Sequence, residues 1–374
     1  MAQQDGSILY ADGRQYVLEY GITEIGREEY AENENIVSVV LPCSVTVIGA
    51  GAFAGCSNLV GIAIPDSVTK IGKVAFAECV SLESIDLPSG LTKISNGTFY
   101  KCSALSCVNI PESVAEIGKG AFWGCKSLAV INLPSGASEI DEEAFRECTS
   151  LISIDIPIGV TKIACRTFIR CASLANVTLP YGLETIELAA FGSCESLVRL
   201  NIPDSVTEIE NSVFSGCTSL VNVTVPRGID SIGHYTFLDC SSLERIDLPE
   251  TLTFIGNEAF KECRGLSRLT IPGNVTVMGA LAFSGCTNLR SVEFRHGAYT
   301  MGDLAFQSCK SLKKVFFTNS MAKIGMNVFS FCPKLKDIYY KGTRAEWKKI
   351  HIGNGNQKLT GGIFERAKIH YKRK

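Results

Sequence analysis

The chain has 374 residues, with 16 cysteines, 34 glycines, 4 histidines and a formal net charge of -2. Apolar residues make up 46% of it, enough for a core and too many for an intrinsically disordered chain. No apolar run of about 18 residues occurs, so no helical membrane span is expected. Met1–Tyr10 has neither a basic nor an apolar stretch, so no secretory leader is expected and the chain as it stands reads as cytoplasmic.

The first predicted element is a hairpin. ILYADGRQYVL, starting at Ile8, sets Asp12-Gly13 between two alternating segments, which is a strong turn signal. Residues 7 to 18 would cover the open edge of the first coil, an edge that otherwise invites pairing. Leu18, Ile22, Ile25, Gly26 and Tyr30 already keep the spacing of the later coils, so residues 1–32 read as a hairpin cap with a partial repeat.

From residue 33 to residue 340 the chain is periodic. Thirteen cysteines, from Cys56 to Cys332, recur at intervals of 23 residues without insertion or deletion. Thirteen phenylalanines from Phe53 to Phe329, eleven prolines from Pro42 to Pro272 and thirteen leucines from Leu59 to Leu335 keep the same beat. Fixed self-similarity in this range is the signature of a solenoid, and it overrides any count of domains from length. In the copy CVSLESIDLPSGLTKISNGTF, Ser84 to Leu87 alternates polar with apolar, predicting a short strand that Pro88 ends. A second extended piece leads to Ile94. A glycine often follows, as at Gly72, Gly118, Gly233 and Gly256, where a tight turn is expected. The spacing of Ala-Phe-x-x-Cys predicts one helical or 3-10 turn per coil, facing Phe and Cys inward. Asn33 holds the cysteine position of the first coil.

These residues resemble the leucine-rich repeat of the BspA-like (Treponema pallidum type) family. One copy carries Pro65, Val68, Ile71, Gly72, Ala75, Phe76, Cys79 and Leu82, with Ile64 in place of the family's leucine. The resemblance covers roughly residues 16 to 350. It implies a repeat solenoid, a right-handed curved array of short parallel strands. It also implies a bacterial or protozoan protein, exposed on the cell surface or secreted, that binds other macromolecules in the manner of an adhesin. About fourteen coils are expected.

Residues 341–374 are predicted as a basic C-terminal cap that ends in a strand near Lys368 to Tyr371. Charge is uneven along the chain. Cys286 to Lys374 holds 18 Lys/Arg against 5 Asp/Glu, and the 285 residues before it hold 18 against 33. Such asymmetry bears on association: polyanion contact at the basic end, or head-to-tail assembly of that end with an acidic flank. A plain soluble cap accounts for it equally well.

The remaining chemical motifs dissolve into the repeat. GAGAFA, from Gly49 to Ala54, matches a dinucleotide fingerprint by letter but lies inside a coil rather than between a strand and a long helix. An odd column of cysteines cannot pair completely, and no Cys-x-x-Cys with a nearby histidine suggests a metal, so buried reduced thiols are expected. Cys107, at an outward strand position, is the best candidate for a reactive thiol, and Cys43 and Cys165 lie off-register. His234, His296, His351 and His370 are scattered over separate coils. No nucleophile–base pair stands out, so no enzyme, cofactor or metal is expected.

Binding would fall on the outward strand positions, five and seven residues after each cysteine. The first position is small early on and turns basic at Arg199, Arg245, Arg268 and Lys314. The second is a polar row that includes Asn201 and Asp247 and ends in Phe316 and Tyr339. These eight are the candidate ligand residues, for a protein or a surface glycoconjugate. The alternative is a solvated sheet face whose polar rows stabilise neighbouring strands. Nucleic acid is disfavoured, because no groove-reading helix or basic-aromatic module occurs.

Overall fold

The computed structural model describes residues 7–9, 15–18, 20–297, 299–356 and 367–372. It is a parallel-strand solenoid of about 14 turns, and the chain divides into two compact units, Met1–Leu183 and Glu184–Lys374. Most coils contribute a front strand after their conserved leucine and a two-residue second strand before their turn; the front strand is absent at residues 244–249 and reduced to a single bridge at Val130. In Ser84–Asp86 only Ile85 points inward, and in Lys93–Ile94 only Ile94 does. Both follow from the period-2 alternation of side chains along a strand.

In the first unit, Ser7–Leu9 pairs antiparallel with Gln15–Leu18, Ser7 opposite Leu18. The Asp12-Gly13 turn expected between them lies outside the described residues. Gln15–Leu18 then pairs parallel with Ser38–Val40, and that strand with Gly61–Ala63. The register matches the sequence period: Ser84 faces Cys107 and Ser153 faces Asn176. In the second unit, Arg199–Asn201 pairs with Asn222–Thr224. Farther on, Arg268–Ile271, Ser291–Phe294, Lys314–Phe317, Asp337–Tyr340 and Lys368–Tyr371 form one five-stranded parallel sheet. The expected C-terminal strand is the last of these.

The turn segment differs from the expected helical or 3-10 turn. Among the described residues the one helix is Arg344–Trp347. In the coil around Phe53, Ala54 N–H donates to Gly51 O at 3.0 Å and Cys56 N–H to Phe53 O at 3.2 Å. The alternate groups reach the next coil: Gly51 N–H donates to Lys73 O, Phe53 to Ala75 and Gly55 to Ala77, at 2.9, 2.8 and 2.7 Å. Chained four-residue turns thus alternate with inter-coil bonds, a pattern that satisfies the buried backbone as a helix would but links the coils as it does so. It requires a left-handed residue one and five places before each cysteine, such as Val74 (φ 51°) and Glu78 (φ 60°).

The glycines expected for tight turning have a different cause. Gly72 is not among the residues with positive φ; a Cβ there would lie 2.4 Å from the amide nitrogen of Ala50 in the preceding coil. At Gly256 the obstacle is the amide nitrogen of His234, at 2.6 Å. At these two positions glycine is needed for close approach of backbones, while most of the left-handed positions are taken by bulkier residues.

Two columns fill the core. In the first unit Tyr30, Phe53, Phe76, Phe99, Phe122, Phe145 and Phe168 stack with centroids 5.3 to 5.8 Å apart. In the second, the stack runs from Phe191 to Phe329, with spacings from 4.9 to 5.9 Å. Beside it, the cysteine Sγ of one coil donates to the phenylalanine carbonyl of the coil before: Cys79 to Phe53 at 3.1 Å, Cys263 to Phe237 at 3.1 Å. The repeated cysteines are buried, whereas Cys43 and Cys107 are exposed and Cys165 is half-buried. Asn33 accepts a hydrogen bond from the amide of Asn35 instead.

Candidate binding face

All eight candidate ligand residues lie in the second unit, on or beside its front strands. Arg199 and Asn201 point outward from Arg199–Asn201, flanking buried Leu200. Arg268 is exposed on Arg268–Ile271, Lys314 is exposed on Lys314–Phe317, and Phe316 and Tyr339 are half-buried on neighbouring strands. Arg245 and Asp247 differ: residues 244–249 form no strand, although Ile246 still points inward. Arg245 instead bonds Asp247, its Nε and Nη2 both 3.0–3.1 Å from Oδ1.

Where the strand lapses, a cavity of about 720 Å³ opens, lined by Arg245, Asp247, Arg268, Arg290, Arg295 and Glu250 among others. Four guanidiniums converge on it. Arg245 is tied to Asp247 and Arg295 to Glu250. Among the described residues Arg268 and Arg290 have no ion-pair partner. An arginine fork without a carboxylate is prepared for bidentate recognition of one.

The far wall of this cavity is fixed from below. Tyr299 is fully buried, and its hydroxyl, with one hydrogen to donate, lies between the carbonyl oxygens of Pro272 at 2.8 Å and Arg295 at 2.5 Å. Burial pushes its phenol up to about 12, with the Glu250 carboxylate adding to the rise. Equivalent positions in other coils hold exposed Thr, as at Thr253 and Thr276, so the repeat pattern gives no hint of a buried tyrosine. Arg290 and Arg295 were likewise missed. Arg290 sits one place before the outward row, and Arg295 stands where the proline is lost.

Farther along the same sheet the outward row becomes an aromatic stack. Phe316 lies on Tyr339 at 4.8 Å and 11°, and Tyr339 on His370 at 4.5 Å and 10°. His370 Nε2 also meets Asp337 Oδ1 at 2.9 Å. Beside the stack a second cavity, about 450 Å³, is lined by Phe316, Phe317, Tyr339, Tyr340, Lys341 and Tyr371 among others. The helix Arg344–Trp347 buttresses it from within, Trp347 packing edge-on to Tyr340 at 5.1 Å. Thr343 and Glu346 form a reciprocal capping box at its start, and those hydrogen bonds hold the Glu346 carboxyl below its ordinary range. The structure therefore gathers the candidates into two groups, Arg245–Asp247–Arg268 and Phe316–Tyr339. Arg199 and Asn201 stand apart on an earlier strand pair, and Lys314 touches neither cavity.

No group of side chains that could hold a metal ion occurs among the described residues, and no described helix is long and apolar enough to cross a membrane. A model of the BspA type leucine rich repeat region matches residues 23–152, 138–267 and 253–359. Among solved structures, the chain is similar to a leucine-rich repeat protein from Bacteroides ovatus ATCC 8483, at 23% identity over 100% of this chain and 97% of that one, with a TM-score of 0.71. It is also similar to the pneumococcal vaccine antigen PcpA, at 20% identity over 92% and 89%, TM-score 0.53. A T. pallidum leucine rich repeat protein shares 28% identity over 56% and 79%, TM-score 0.36. No curated protein matches the chain.

Proposed function

The chain belongs to the BspA-type leucine-rich repeat family, and from that premise we propose that it is a non-catalytic scaffold that binds a protein or a surface glycoconjugate through the front-strand face of residues 184–374. Repeat arrays of this family are generic protein-binding scaffolds. One observation carries the reading: a single parallel sheet and the coil beside it present both a guanidinium-lined cavity and an outward-facing aromatic stack. Interfaces are anchored by arginine and tyrosine set in such hollows, with the surrounding polar surface excluding water. The strandless coil at residues 244–249 provides depth that a flat strand face lacks.

The test is capture of partners from host and bacterial lysates, comparing the wild-type chain with a variant carrying Arg199→Glu, Arg245→Glu and Arg268→Glu. A control carries Lys310→Glu, Lys323→Glu and Lys334→Glu, the same charge change on exposed residues off the front strands. Loss of capture in the first variant alone is expected. Equal capture by all three chains would discard the strand face.

A second reading rests on charge: 18 Lys/Arg against 5 Asp/Glu after Cys286, and 18 against 33 before it. Opposed charge of this size favours head-to-tail association, or polyanion contact at the basic end. Oligomers on a sizing column at low salt that dissociate at about 0.5 M salt would support assembly, because screening shortens the reach of exposed charges to a few ångströms. A monomer at low salt excludes it.

A further inference from the structure

Residues 244–339 offer more than a generic face, and their chemistry narrows the ligand. Resting on the strand-face reading above, we propose that this region reads an extended acidic peptide. Its carboxylates seat on Arg268 and Arg290, and an aromatic side chain farther along packs against the Phe316–Tyr339 stack.

Charge favours a peptide over a sulfated or phosphorylated polymer. The cavity's four arginines are interleaved with Glu244, Asp247 and Glu250, so a continuous polyanion would meet three carboxylates among the four guanidiniums. A peptide with one or two acidic side chains addresses Arg268 and Arg290, which have no ion-pair partner among the described residues, and leaves the Arg245–Asp247 and Arg295–Glu250 pairs intact. Ring geometry at Tyr339, the middle of the stack, disfavours a sugar there. Tyr339 is covered on both faces, by Phe316 and by His370, so it cannot offer the open face on which a pyranose stacks; ring edges remain for an aromatic or aliphatic side chain.

Spacing sets the peptide's length. Two strand steps across the sheet and two residues along the strand separate Arg268 from Phe316, because Arg268 faces Ser291 and Ser291 faces Lys314. At about 4.8 Å a step and about 3.3 Å a residue this is about 12 Å, a span an extended chain crosses in roughly three to four residues. Tyr299, bonded to the Pro272 and Arg295 carbonyls, is a positioning residue that holds the cavity wall against which the acidic end would lie.

The test is fluorescence anisotropy with a labelled synthetic peptide of two glutamates, a three-residue spacer and a tryptophan. Comparison peptides replace the glutamates by glutamine or the tryptophan by serine, and a heparin hexasaccharide stands for a polyanion. Saturable binding of the first peptide is expected, weakened about tenfold or more by either peptide change or by Arg268→Gln with Arg290→Gln, as loss of charge-assisted bonds requires. Thermal unfolding of the double variant near that of the wild type shows that the fold is kept. Absence of binding, or equal binding to the double variant, overturns the inference. Heparin binding as tight as the peptide's would replace the peptide with a polyanion. Should lysate capture still depend on the front strands while the peptide fails, this inference falls and the proposed function stands; should neither depend on them, both fall.

Discussion

Cys263 shows at the residue scale why a thiol recurs. Its Sγ reaches the Phe237 carbonyl, which already accepts the amide of Cys240 at 3.2 Å, so one side chain serves as a small hydrophobe and ties two coils together. Burial raises these thiols well above their ordinary range, to about 11 at Cys56 and about 12 at Cys171 and Cys217. A raised folded-state value means that the stabilisation is complete below the unfolded thiol's value, about 8.5. It is then lost as pH rises toward the folded value, at about 1.4 kcal/mol per thiol per pH unit. With a column of them the denaturation midpoint should fall steeply between about pH 8.5 and 11, and Cys217→Ala should shallow that slope by about one proton. A flat profile over this range would contradict the buried column. Tyr299 offers a second check. Tyr299→Phe removes the one donor that the Pro272 and Arg295 carbonyls share and should cost about 1–3 kcal/mol in chemical denaturation. That the cysteines are buried was legible from their odd number and spacing. Their acceptor was not, because it lies in the neighbouring coil and depends on how closely coils approach.

At the scale of elements, strands were legible and turns were not. Ser84 to Leu87 announces its strand by alternation, whereas Glu78, Arg170, Tyr235 and Phe331 carry no sign that they occupy left-handed backbone, at φ of 60°, 62°, 60° and 58°. Inter-coil bonding, not local preference, imposes that conformation. Phe331 is 73% exposed with φ 58°, so its side chain contributes little while its backbone is disfavoured by about 1–2 kcal/mol. Phe331→Gly should therefore stabilise the chain by about 0.5–1 kcal/mol, after the greater freedom that glycine gives the unfolded state. A loss of stability would show that the ring matters. In the core, Phe260 stacks at 5.1 Å on Phe237 and 4.9 Å on Phe283. Phe260→Ala should cost about 3–5 kcal/mol, read as a lowered melting temperature. The binding groups divide along the same line. Outward Arg268, Phe316 and Tyr339 follow from strand parity alone, but the cavity depends on a coil that forms no strand despite matching the repeat, and on a tyrosine buried where other coils hold an exposed threonine.

For the whole molecule, the interval of 23 residues proved to be the register of the ladder itself, Arg268 opposite Ser291 and Ser291 opposite Lys314. Repetition explains stability without specifying a ligand, because each coil buries its inner face only on its neighbours and leaves its outer face free to vary. Variation is concentrated where basic residues and aromatics replace the small and polar outward rows. The most direct measurement of the central claim is hydrogen exchange on the chain with and without its captured partner. Slowed exchange at residues 199–201, 244–250, 268–271, 314–317 and 337–340, with Phe254–Ile255 and Lys323–Ile324 unchanged, is the expected result. Protection confined to those second-row strands or to the turns, with the front strands unaffected, would contradict it.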